Sequence, residues 1–129
     1  CQSDMLFIAL PSGRKLSYAK PRIGENRFGS ECVTYEGVGT TKRWERIESS
    51  PGKWVENITQ AVARDILYYA LSTFRCSDVV MHIHDEVVIE ADERVSLPVV
   101  CEQMSRVPDW AVGLPLRCDG FETMFYKKE

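Results

Sequence analysis

Residues 79–90, VVMHIHDEVVIE, restrict the fold of this chain more than any other segment. Read as a single strand, the run places apolar side chains at its odd positions, and Asp85 falls in that same row. An ionised carboxylate held there without a partner would cost on the order of several kcal/mol. The run must therefore either break at Asp85 and Glu86 or bring a cation to them.

A break at this point predicts a β-hairpin with strands at 79–84 and 87–91. Asp-Glu is a poor two-residue hairpin loop, because Asn-Gly or Asp-Gly is preferred there. Turn propensity alone therefore does not account for Asp85 and Glu86. A hairpin tip that presents two adjacent carboxylates is suited to a hard divalent cation such as Mg²⁺. The alternative is that these acids are simply solvated turn residues.

The remaining pattern predicts an α+β fold with an antiparallel sheet. The longest helical pattern covers residues 53–74, where apolar residues recur at spacings of three and four, and a shorter helix is expected near 94–106. Residues 21–30 are predicted to be a loop and 40–53 a polar surface connection. Further strands are predicted at residues 5–10, 15–20, 31–38 and, as one or two closing strands, around 115–126. The hairpin should pack against the long helix and a second, shorter helix.

Composition limits the class of protein. A chain of 129 residues can form one domain with a buried core. It contains no apolar stretch near the roughly 20 residues that a membrane-spanning helix needs, so no membrane partner is expected. The five cysteines are scattered and form no CxxC pair, which favours reduced thiols in a cytoplasmic protein over a disulfide framework or a structural zinc site. Because the chain starts at Cys1 without an initiator Met, we expect it to be part of a longer protein.

Charge is distributed unevenly along the chain. Residues 12–46 hold eight Lys or Arg and four Glu, whereas residues 85–129 hold ten Asp or Glu and five Lys or Arg. The first region could therefore face phosphates and the second could hold metal ions. Two solvated faces with a chance asymmetry are the alternative.

Several segments resemble the family A DNA polymerases, the DNA polymerase I family. VMHIHDEVVIE resembles motif C of that family, whose core is His-Asp-Glu on a hairpin of the palm domain. Upstream, ENITQAVARDILYYAL is similar to the long helix that leads into motif C, and LPSGRKLSY to a Gly-Arg strand segment. LPLRCDGFETMFYKKE resembles the closing strand and C-terminus. The segments TYEG and ENITQAVARD are most similar to the phage or prophage branch. The resemblance implies that residues 1–129 are the C-terminal portion of a polymerase palm.

The resemblance also implies a function and a set of site residues. The parent protein would transfer nucleotides from dNTPs to a primer 3′-hydroxyl under the direction of a template, using two Mg²⁺ ions. Asp85 would bind catalytic Mg²⁺, Glu86 would be a second acidic group near the metals, and His84 would contact the primer-terminal backbone. Gln60 and Asn57 would touch the minor groove near the primer terminus, although Asn57 stands about one position from the commonest spacing. Primer–template DNA and dNTPs are the expected partners.

The chain lacks other parts that the family needs. The second metal-binding aspartate, in motif A, and the nucleotide-gripping Lys and Tyr, in motif B, lie upstream of this segment in the family. The isolated chain is therefore expected to be inactive. The alternative function is a non-catalytic binding module whose acidic hairpin holds a structural cation or a basic partner. A zinc site at His82 and His84 is a weaker alternative, because no Cys or third His stands at a helpful spacing.

Overall fold

The computed structural model describes residues 4–74 and 78–127 and confirms the α+β class. The chain divides into two compact units, one ending at Val62 and the other beginning at Ala63. The elements are β1 (Met5–Ala9), β2 (Lys15–Glu25), β3 (Glu31–Val38), β4 (Trp44–Glu48), α1 (Pro51–Thr73), β5 (Asp78–Ile83), β6 (Glu86–Glu90) and α2 (Leu97–Met104). None of the helices in the described part of the chain is long and apolar enough to cross a membrane.

The first unit is a four-stranded antiparallel sheet in the order β1-β2-β3-β4, with the first half of α1 in the same unit. Alternation places one row of each strand on an inner face, where three aromatic rings meet. Tyr18 lies 4.8 Å from both Tyr35 and Trp54, measured between ring centroids, and the rings of Tyr35 and Trp54 are 5.8 Å apart. Trp54 comes from α1, so this aromatic cluster attaches the helix to the sheet.

The predicted loop at 21–30 is wrong in its first half, because β2 continues to Glu25. Pro21 does not end the strand, which passes it through a bulge: the register shifts between Ala19 and Arg22, and Lys20 takes a positive φ of 46°. A bulge tolerates proline because the residue leaves the hydrogen-bonded ladder there. The true turn is narrower and is closed by Asn26, whose Oδ1 accepts hydrogen bonds from two backbone N–H groups.

The prediction of a surface connection at 40–53 is wrong in its middle, where the chain forms a strand. Trp44–Glu48 forms β4 and pairs antiparallel with β3, with Tyr35 opposite Ile47. Apart from Trp44, Ile47 is the one apolar side chain of this strand, so the segment lacks the alternation that predicts a half-buried strand. Its polar composition suits an edge strand, which presents an open row of backbone groups to solvent.

The long helix begins at Pro51, close to the predicted boundary. Ser50 precedes it, and its hydroxyl accepts a hydrogen bond from the backbone N–H of Lys53 at 3.3 Å, which satisfies one of the free donors at the helix start. Proline at the first helical position has no N–H to leave unpaired. At the other end, Gln103 donates to the carbonyl of Thr73 at 2.6 Å, which ties the following helical segment to the end of α1.

In the second unit, the closing strands predicted around 115–126 are wrong, since the described residues there form no strand or helix. The backbone N–H of Cys118 donates to Ser105 Oγ at 2.9 Å, so a side chain takes the place of a strand partner. Burial, together with the neighbouring Cys101 thiol, raises the pKa of Cys118 to about 11.

The second helix is shorter than the predicted 94–106, because it starts at Leu97 and ends at Met104.

Candidate functional site

Residues 78–90 form the predicted β-hairpin, and its turn lies at His84 and Asp85. Ile83 pairs with Glu86 across the two strands, so the loop between them has two residues. Asp85 therefore stands at the tip and Glu86 opens the returning strand, as expected for carboxylates at or beside a hairpin turn. The predicted strand boundaries were wrong by one residue at the turn, because His84 belongs to the loop and Glu86 to β6.

The first residue of the turn, His84, is not of a type that favours turns. His84 has a φ of 54°, in the left-handed region, whereas Asp85 is not among the residues with positive φ. A positive φ at the first loop position only is the pattern of a type II′ turn, which usually carries glycine there. A histidine in this conformation costs on the order of 1 kcal/mol or more. Strain of this kind concentrates at functional sites, so the turn marks His84-Asp85 as a candidate site.

The carboxylates at the tip face solvent. His84, Asp85 and Glu86 are all exposed. Within residues 4–74 and 78–127, neither carboxylate forms an ion pair or a side-chain hydrogen bond with another residue. The apolar run therefore breaks at Asp85, and the carboxylate lies outside the core.

A bulge changes which side chains share a face of the hairpin. Val79 pairs with Ile89, but Met81 pairs with Val88, so Val80 is an extra residue on β5. Because side-chain direction alternates along a strand, the extra residue moves Met81 to the face opposite Val79. The odd positions of β5 therefore do not form one continuous apolar row.

A series of side-chain contacts, two aromatic rings and one guanidinium, links the hairpin to α1 within the second unit. His82 lies edge-on to Tyr68, with ring centroids 6.2 Å apart. The guanidinium of Arg64 lies 5.1 Å from the centroid of the Tyr68 ring and donates a hydrogen bond to the Tyr68 hydroxyl at 2.9 Å. This hydrogen bond raises the pKa of Arg64 above its usual value. Arg64 is exposed. Tyr68 connects it to His82, which precedes the turn residue His84 by two positions. The sequence pattern assigned Arg64 no role; only this contact singles it out.

The two amide residues on α1 belong to the first unit and differ in their surroundings. Gln60 is exposed, and its Nε2 lies 3.4 Å from Glu56 Oε1 one helical turn away. Asn57 is half-buried and donates to Tyr18 Oη at 3.2 Å. The amide of Asn57 therefore already serves the packing of α1 on the sheet, whereas that of Gln60 is open to a ligand.

Comparison with known proteins shows what this chain is similar to. The sequence is 45% identical, over 134 aligned positions, to a protein of Bacillus phage SP02 described as a DNA polymerase. This chain is similar to a phage DNA polymerase. The similarity covers 99% of the chain but 20% of the phage protein, so the chain spans about a fifth of the length of that relative. No protein-family model and no solved structure matches the sequence.

Proposed function

We propose that this chain is the C-terminal portion of the palm of a family A DNA polymerase. In the complete protein it would take part in the template-directed transfer of nucleotides from dNTPs to a primer 3′-hydroxyl, in the cytoplasm. The observation that carries this proposal is the strained His84-Asp85 turn, which holds two exposed carboxylates at the end of an otherwise apolar hairpin. The 45% identity with a phage DNA polymerase supports it, because the aligned region includes nearly all of this chain.

The donor chemistry of the tip fits Mg²⁺, but the number of donors is too small for a complete site. Mg²⁺ takes carboxylate oxygens, water and substrate phosphates as ligands. Asp85 and Glu86 supply carboxylates of this kind, and no group of three or more His, Cys, Asp or Glu in residues 4–74 and 78–127 could hold a metal ion. We therefore expect the remaining ligands to come from a motif A aspartate elsewhere in the complete protein and from the bound triphosphate.

Each residue of the proposed site has a task that suits its chemistry. Asp85 and Glu86 would hold Mg²⁺, which would supply positive charge to lower the pKa of the attacking hydroxyl and to neutralise the leaving pyrophosphate. His84, exposed at the turn, would contact the backbone of the primer terminus. Gln60 would donate to the acceptors that every base pair presents in the minor groove. Asn57 is a weaker minor-groove candidate because its amide is engaged with Tyr18.

The test of the proposed function is primer extension by the complete protein that contains this chain. With a labelled primer–template and four dNTPs, we expect extension that requires a divalent cation and stops when EDTA is added. The absence of any extension under these conditions would favour the non-catalytic binding module instead.

The isolated chain, in contrast, should not extend a primer. It carries one half of the carboxylate clamp, and the two-metal reaction needs both halves. The same extension assay, run with residues 1–129 at a concentration matched to the complete protein, should show no product above the protein-free control. Extension by the chain alone that disappears on Asp85→Ala would show that the missing groups had been assigned wrongly.

Gln60→Ala in the complete protein should slow extension about tenfold and alter its sensitivity to a primer-terminal mismatch without eliminating activity. A minor-groove contact positions the primer but performs no chemistry. Extension rates on matched and mismatched primers measure both effects. Glu56→Ala is the matched control, since it removes the hydrogen-bond partner of Gln60 from the same helix. A Gln60→Ala protein with native rates on both primers would remove this residue from the site.

A further inference from the structure

The four-stranded sheet has an outer face, opposite the aromatic cluster of Tyr18, Tyr35 and Trp54. The strand register places Val38 opposite Trp44 and Glu36 opposite Arg46 on this face. Beyond the bulge, Arg22 pairs with Thr34 and lies in the same row. We use the term outer face for this surface of β1–β4, together with the adjoining turn between β3 and β4.

An indole ring is exposed on the outer face in a defined orientation. Trp44 keeps 64% of its surface exposed, and its Nε1 donates to Glu36 Oε2 at 3.1 Å. Glu36 also forms ion pairs with Lys20 at 3.0 Å and with Arg46 at 3.2 Å. The hydrogen bond from Trp44 and the contact with Lys20 hold the pKa of Glu36 below its usual value, so the Glu36 carboxylate remains ionised at neutral pH. The ring is thus held by its edge while much of its surface stays open to solvent.

The outer face and its turn carry an excess of positive charge. Lys15, Lys20, Arg22 and Arg46 lie on the face against the carboxylates of Glu36 and Glu48, and the β3–β4 turn adds Lys42 and Arg43. Across the described ranges 4–74 and 78–127, no ion pair involves Lys15, Arg22, Lys42 or Arg43. The ammonium of Lys15 instead lies 5.9 Å from the ring centroid of Phe7, which is itself 41% exposed. These four cations are available to an external anion.

An exposed aromatic ring among available cations is the arrangement that binds unpaired nucleic acid. Bases stack on aromatic side chains and the phosphates follow the surrounding positive charge. A protein surface docked on this face would have to bring carboxylates to several cations and cover a hydrogen-bonded tryptophan. A polyanion whose flat bases can stack on the indole ring satisfies both requirements at once.

We propose that the outer face of this sheet binds a single strand of DNA, with Trp44 stacking on a base and with Lys42 and Arg43 contacting phosphates. This inference rests on the proposed function, because a polymerase works beside unpaired template. It adds a DNA-binding surface in the first unit that does not use the hairpin tip.

The test is fluorescence anisotropy of a labelled oligothymidylate of about 16 nucleotides titrated with the 129-residue chain. Trp44→Ala should weaken binding about tenfold, and Trp44→Phe, which keeps a flat ring, should stay close to the native affinity. Lys42→Gln combined with Arg43→Gln should reduce the magnitude of the negative slope of log K, the association constant, against log salt concentration by about 1.4. Arg94→Gln combined with Arg117→Gln is the charge-matched control, because both arginines are exposed, belong to the second unit and lie in local ion pairs.

Three results would overturn the inference: native affinity in Trp44→Ala, equal binding of single-stranded and duplex DNA, or an equal loss in the arginine control. Circular dichroism confirms that each exposed-site variant keeps its fold. The outcome is separable from that of the proposed function. If Asp85→Asn abolishes synthesis in the complete protein while Trp44→Ala binds normally, the polymerase assignment stands and the outer-face assignment fails. If binding by the 129-residue chain depends on Trp44 while the complete protein synthesises no DNA, the outer face is supported and the polymerase assignment fails.

Discussion

Asp85→Asn in the complete protein should lower single-turnover nucleotide incorporation by roughly 1,000-fold while leaving primer–template affinity nearly unchanged. The substitution keeps the size and shape of the side chain but removes the charge that would hold Mg²⁺. Asp85 is exposed at the turn and lies outside the core, so the change should not disturb the fold. Affinity for DNA depends mainly on phosphate contacts, which this carboxylate does not make.

The measurement pairs rapid-quench incorporation with DNA binding at one fixed salt concentration. Glu90→Gln is the matched control, because Glu90 is an exposed carboxylate at the far end of the same hairpin. It should keep both incorporation and DNA affinity. Near-native incorporation in Asp85→Asn would remove the hairpin tip from the chemistry, and the proposed function would fail with it.

Tyr18→Ala should lower the free energy of unfolding of the chain by about 3–4 kcal/mol. Tyr18 is 8% exposed and its ring touches both Tyr35 and Trp54, so truncation opens a cavity where α1 meets the sheet. A loss of this size is a large part of the stability of a small protein. Urea denaturation followed by circular dichroism measures it.

Two further variants separate the causes of that loss. Tyr18→Phe keeps the ring but removes the hydroxyl that accepts a hydrogen bond from Asn57, and it should cost about 1 kcal/mol. Phe28→Ala, at a ring that is 77% exposed, should change stability by no more than about 0.5 kcal/mol. If Tyr18→Ala cost no more than Phe28→Ala, the aromatic cluster would not be what holds α1 on the sheet.

Elements with a strong local pattern were predictable from the sequence. The strand at residues 31–38, the long helix and the hairpin follow the predictions closely, because each carries its own periodicity. The residues of the hairpin tip were predictable for a different reason. Two adjacent acids in an apolar run cannot be buried unpaired, so they had to lie at a turn or meet a cation.

Elements whose existence depends on a neighbour were not predictable. The strand Trp44–Glu48 has little hydrophobic alternation and forms because β3 offers it a ladder. The tail around 115–126 has apolar residues at plausible spacing, yet no described strand pairs with it, and Cys118 bonds to a side chain of the preceding helical segment. Local propensity cannot distinguish these cases, because a strand is stabilised by the partner it pairs with.

The sequence by itself determined that an unpaired Asp85 could not be buried within the apolar run of residues 79–90. Only the tertiary structure decided where the turn closes. The extra residue at Val80 advances the pairing by one, so that Ile83 stands opposite Glu86 and the loop falls on His84 and Asp85. A shift of one residue in register reverses every side chain beyond it, and pairing across the hairpin selects the register. The same pairing forces His84 into a positive φ and brings the carboxylate of Asp85 to the tip.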